Sequence, residues 1–117
     1  RLCLVSDATS GAGLPEGSAF TMGEMRYEVR DGVGMMPDRS AFAGSTTLLD
    51  GMLRVVTRQL GVPLPEAVRM ASLTPAKVIG VAERKGSLAP GKDADFVLLS
   101  PELTPLRTVL GGRTAWS

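Results

Sequence analysis

Apolar positions change rhythm several times along the chain, and each rhythm predicts a different element. Leu2, Cys3, Leu4 and Val5 form a continuous apolar run, the pattern of a strand covered on both faces. It ends at Ser6 and Asp7, ahead of a loop of small residues, "ATSGAG". The stretch "AFTMGEMRYEVRDGVGMM" alternates enough to predict two short strands around an Asp31-Gly32 turn. Met35 to Asp38 then lead into a loop that ends in "AFAGSTTLLDGM". Leu48, Leu49, Met52, Val55, Val56 and Leu60 recur at helical spacing, with Ser45 or Thr46 as cap and Gly61 as stop.

A second helix is expected from Pro65, with Glu66 near its positive end, through "EAVRMAS". A short third helix follows, capped by Thr74, with Pro75 in its first turn and Gly80 at its end. From Gly86 the pattern turns to strands: Phe96 to Leu99 after a Pro90-Gly91 turn, then a pair about Gly111-Gly112. This order suits a barrel segment followed by a small β region better than one self-sufficient domain. A strand buried on both faces also needs neighbours that this chain scarcely offers. We therefore expect a carboxyl-terminal portion of a longer enzyme.

Composition narrows the chemistry. Among 117 residues, 44% are apolar, and 13 basic against 12 acidic side chains leave a net charge of +1. That balance gives no reason to expect nucleic acid or an acidic membrane surface as partner. No apolar run approaches a membrane span, and the single cysteine, Cys3, reads as a small buried hydrophobe suited to a reducing cytoplasm. The chain has no histidine, so it supplies neither a His base nor a His metal ligand. A metal site built from it would rest on carboxylates alone.

Read from the residues alone, Asp7 is either the cap of a turn or helix, or an acid at the carboxyl end of a strand, where parallel sheets do their chemistry. Gly44 and Ser45, on their own, read as residues that set a helix entry. Lys92, Asp93 and Asp95 lie in the turn entering a strand. Arg54, Arg58 and Arg69 are expected on solvent-facing helix surfaces, and the scattered methionines in packing.

"LCLVSDATSGAG", "AFAGSTTLLDGM", "EAVRMASLTPAKVIGV" and "GSLAPGKDADFVLLS" together resemble the amidohydrolase superfamily, most closely its N-acetylglucosamine-6-phosphate deacetylases. The resemblance implies an α/β fold, namely the carboxyl-terminal part of a metal-dependent hydrolase (β/α)8 barrel plus part of a small β-sandwich. Residues 1–82 would supply the last barrel strand, a hairpin excursion and closing helices, and residues 83–117 the sandwich strands. It implies hydrolysis of an acetamide, giving glucosamine 6-phosphate and acetate, by a cytoplasmic enzyme of amino-sugar metabolism that commonly forms homodimers.

By the same resemblance, Asp7 is the catalytic acid and base near the metal-bound water, and a candidate metal ligand. Phe42, Ala43 and Gly44 contact the phosphorylated N-acetyl sugar. The cofactor would be a divalent ion such as zinc or iron, not held tightly by this chain alone, which is expected to be inactive by itself. Two other readings stay open: an amidohydrolase for a cyclic amide or another N-acetyl sugar, and a non-catalytic interaction domain.

Overall fold

The structure, a computed structural model, describes residues 2–117. The chain forms two compact units, residues 5–51 and residues 2–4 with 52–117. No helix among the described residues is long and apolar enough to cross a membrane.

The unit of residues 5–51 is a four-stranded antiparallel meander in the order β1-β2-β3-β4, with β1 Ala19–Met22, β2 Met25–Arg30, β3 Val33–Met35 and β4 Phe42–Ser45. The Asp31-Gly32 turn joins β2 to β3 with φ of 52° and 73°, the two positive values that a twisted two-residue hairpin requires. The meander has two strands more than the alternation around that turn predicts. β1 is closed onto β2 by Gly23-Glu24, and β4, read from the sequence as loop, pairs with β3.

Phe20, Val29 and Ala43 make the core of this sheet, flanked by Met22 and Tyr27. Phe20 and Tyr27 are register partners whose rings stack at 5.7 Å. The Phe20 ring also explains the small residues after Asp7. A Cβ placed on Gly11 would come within 2.5 Å of it, so only glycine lets that loop close over the ring.

In the other unit lie most of α1 (Leu49–Arg58), then α2 (Leu64–Ala71), α3 (Leu73–Val78) and a three-stranded antiparallel sheet, β5 Phe96–Leu99, β6 Pro105–Leu110 and β7 Arg113–Trp116. Leu53 and Val56 of α1 meet Ala67 and Leu103 in its core, with Leu4, Val62, Ala71 and Leu99 against them. The helical spacing of α1, the strand at Phe96 and the Gly111-Gly112 hairpin thus stand where the pattern puts them.

Several local expectations are corrected. The described residues of the run Leu2–Val5 form no strand. Leu2 and Val5 are 70% and 72% exposed, and the N–H of Leu4 bonding the Met70 carbonyl at 2.9 Å supplies no ladder. A strand buried on both faces exists only with partners alongside, and apolar content alone does not make one. The fold is accordingly mixed α/β with two small antiparallel sheets, and no closed barrel forms among the described residues.

Neither Ser45 nor Thr46 caps α1. Ser45 Oγ accepts the Thr47 N–H, and the Thr46 hydroxyl donates to the Gly32 carbonyl. Thr74 is inside α3, whose start is Ser72, and the Ser72 hydroxyl is engaged with the Val68 carbonyl. Arg54 is not a plain solvent-facing charge. Its guanidinium donates to the Leu103 carbonyl at 2.9 Å, steadying a buried residue held at φ 64°.

The carboxylates of "PGKDAD" serve the fold. Asp93 pairs with Arg84 at 3.0 Å and with Lys85 at 2.9 Å, while Asp95 pairs with Lys85 and accepts the Gly111 N–H at 2.7 Å. Lys85, before Arg84, lowers the Asp93 carboxyl below its ordinary value. Lys85 and then the Gly111 N–H do the same for Asp95, and the two acids raise Lys85 in return. Depressed carboxyls stabilise the fold above their ordinary 3.8 and lose that contribution as the pH falls through the lowered values. A raised lysine contributes below its ordinary 10.5 and stops as the pH climbs past the raised value. Asp95→Ala is therefore expected to lower the melting temperature by a few degrees between these limits, with the difference from the parent shrinking in acid. An equal melting temperature at neutral pH would show that the cluster is solvated charge only.

Candidate active site

Asp7 follows the non-strand segment 2–6 and itself adopts a left-handed conformation, φ 48°, which Asp tolerates better than most residues. Two backbone bonds tie this stretch to the end of β4: the Ser45 N–H donates to the Asp7 carbonyl at 3.2 Å, and the Thr9 N–H donates to the Ser45 carbonyl at 3.1 Å. This is one rung of parallel pairing, Ala8 against Ser45.

The Asp7 carboxylate is exposed and makes no hydrogen bond or ion pair among the described residues. It caps neither a helix nor a turn, which removes the commonest structural role for an acid at such a position. It lies over Gly44: a Cβ built on Gly44 would stand 3.6 Å from Asp7 Oδ2, 3.2 Å from the Asp7 carbonyl oxygen and 2.7 Å from Thr9 Cγ2. The fold therefore brings together two stretches that are 37 residues apart, Asp7 and Gly44.

Of the four residues of β4, the predicted trio Phe42, Ala43 and Gly44 spans a register shift against β3. Ala43 is 5% exposed and its methyl belongs to the sheet core with Phe20 and Val29. Phe42 is 73% exposed, and Gly44, at φ 66°, is exposed too. Of the predicted trio, then, Phe42 and Gly44 have surface to offer a ligand, and Ala43 only its backbone.

Sequence reasoning passed over Thr9. No local period marks it, because the left-handed backbone at Asp7 breaks any strand alternation there; only the pairing with Ser45 brings it to the site. The described residues contain no group of three His, Cys, Asp or Glu side chains able to hold a metal ion. One exposed carboxylate does not fit a divalent centre by itself.

With this geometry in view, comparison with known proteins is informative. Over 114 residues the chain is 39% identical to an N-acetylglucosamine-6-phosphate deacetylase of Vibrio furnissii, covering 97% of this chain and 28% of that protein. It is 38% identical to a putative N-acetylgalactosamine-6-phosphate deacetylase of Escherichia coli K12, covering 98% of this chain and 68% of that one. The crystal structure of an N-acetylglucosamine-6-phosphate deacetylase from Pasteurella multocida superposes with a TM-score of 0.88 at 29% identity, over 99% of this chain and 30% of its own. The chain thus spans under a third of the length of the Vibrio relative. Residues 19–115 match the amidohydrolase family as a whole. Motifs, fold and family match agree: this chain belongs to the amidohydrolase family.

Proposed function

We propose that this chain supplies the proton-transfer carboxylate and one substrate-facing strand of an enzyme that deacetylates an N-acetyl amino sugar 6-phosphate, with N-acetylglucosamine 6-phosphate as the first candidate. The observation that carries the proposal is Asp7, an acid held by backbone beside Gly44 with its carboxylate unpartnered among the described residues. In this reading residues 1–82 belong to the barrel and residues 83–117 to the small sandwich, as the resemblance implies.

Amide hydrolysis needs a proton removed from the attacking water and a proton given to the departing nitrogen. Asp7 performs both transfers. It takes the water proton as oxygen bonds to the acetyl carbon, then returns it to nitrogen as the carbon–nitrogen bond breaks. Acetate and the free amino sugar phosphate result. The family implies a divalent ion that polarises the carbonyl and acidifies water. The described residues do not supply a donor set that fits such an ion.

Phe42 offers an exposed apolar surface two residues before Gly44, over which Asp7 lies. Phe42→Ala in the complete enzyme is expected to raise KM about tenfold with little change in kcat, since partial cover by an aromatic ring is worth roughly 1–2 kcal/mol. Steady-state kinetics checks this, and an unchanged KM would remove Phe42 from the sugar pocket.

The Escherichia coli relative favours a second reading, the galactosamine epimer as substrate. The deciding experiment assays the complete enzyme, metal-loaded, against both epimers and a cyclic amide. Acetate release from N-acetylglucosamine 6-phosphate at the highest kcat/KM supports the proposal. Preference for the galactosamine epimer moves the substrate assignment. Turnover of the cyclic amide alone, or of none of the three, refutes deacetylation.

A further inference from the structure

We infer that Thr9 is the positioning residue of this site, fixing where the Asp7 carboxylate stands; the inference rests on the deacetylase reading above. No hydrogen bond or ion pair among the described residues fixes the Asp7 carboxylate. Its location is therefore inherited from the backbone that carries it, and the question becomes what holds that backbone. Asp7 sits at φ 48° and is followed at once by the parallel rung to Ser45.

Of the two backbone bonds that make this rung, the Asp7 carbonyl takes one and Thr9 makes the other, and Thr9 alone adds side-chain bonds to it. Its N–H donates to the Ser45 carbonyl at 3.1 Å, and its hydroxyl donates to the same oxygen at 3.4 Å. That hydroxyl oxygen accepts the Gly11 N–H at 3.3 Å, and the Thr9 carbonyl accepts the Ala12 N–H at 2.9 Å. A hydroxyl has one proton to give and lone pairs to receive, so both of its bonds form together. The side chain thus closes the turn of residues 9–12 and ties it to β4 with one group.

The methyl has a separate place. Thr9 Cγ2 lies where a Cβ on Gly44 would come within 2.7 Å, filling the space over Gly44 next to the acid. Hydroxyl and methyl thus both bear on the end of β4, the strand whose Ser45 N–H holds the Asp7 carbonyl. A serine keeps the first contact set, a valine the second, and the pair of variants separates them.

In the complete enzyme, Thr9→Val leaves the Gly11 N–H and the Ser45 carbonyl each one bond short. It is expected to lower kcat about tenfold while KM stays within about twofold, because misplacing a proton-transfer group slows the transfer more than it weakens binding. Thr9→Ser is expected to recover most of that loss. A Thr9→Val enzyme with the parental kcat overturns the inference, and so does a Thr9→Ser enzyme as slow as Thr9→Val. Should Thr9→Val fold too poorly to assay, Thr9→Ala replaces it, with the same kcat loss expected and a parental kcat again refuting the role. The parent assayed alongside keeps the two levels apart. An inactive parent on both sugar epimers defeats the deacetylase reading, whereas an active parent with unaffected Thr9 variants defeats only the role of Thr9.

Discussion

Asp7→Asn in the complete enzyme is expected to lower kcat about a thousandfold while leaving the fold intact, in line with the roughly 10²–10⁴-fold that a positioned general acid–base group contributes. Asparagine is the right replacement for a physical reason. Asp7 sits at φ 48°, and Asn is, with Asp, among the few side chains that tolerate that region. The Asp7 carbonyl keeps its bond from the Ser45 N–H in the variant, so the parallel rung survives. What is lost is the capacity to accept and return a proton. Asp7→Ala would add a backbone cost of about 1 kcal/mol and blur the reading. Stopped-time acetate release together with a thermal melt checks the prediction. An Asn variant at parental kcat, with an unchanged melt, would take Asp7 out of the chemistry.

Gly44→Val is the other large effect, on stability and activity together. Gly44 adopts φ 66°, where a β-branched residue is a genuine outlier. Its new Cβ would meet the Thr9 methyl at 2.7 Å and the Asp7 carbonyl oxygen at 3.2 Å, and the second of these is backbone that yields little. Strain and overpacking together are expected to cost roughly 3 kcal/mol or more. The crowding also falls on Asp7 and Thr9 of the proposed site, so kcat should drop even at temperatures where the variant is folded. Chemical denaturation measures the first part. A double variant with Thr9→Ala tests the cause: removing the methyl should make the combined destabilisation smaller than the sum of the two. Strict additivity would mean that Thr9 is not what Gly44 makes room for.

How far the sequence carries can be judged at particular residues. The face of α1 that holds Leu53 and Val56 is legible because helical spacing is a local property, and burial merely selects one side of it. The Asp31-Gly32 and Gly111-Gly112 turns are legible for a similar reason: few residues accept the positive φ that such hairpins need. The motif around Asp7 is legible as a family likeness, but not as geometry. Local reasoning treats Ser45, Thr46 and Thr74 as free to cap the nearest helix. Thr46 shows why that fails, since its hydroxyl is taken by the Gly32 carbonyl, 14 residues away.

By itself, then, the sequence determined the helices, the glycine turns and the family. Tertiary structure alone decided that Leu2–Val5 lacks the neighbours to become a strand, that Phe42–Ser45 is a strand, and that Ala43 faces the core while Gly44 lies under Asp7. The division follows from range. Propensity and periodicity act over a few residues, whereas pairing partners, hydrogen-bond competitors and the space above a glycine come from chain that is dozens of residues away.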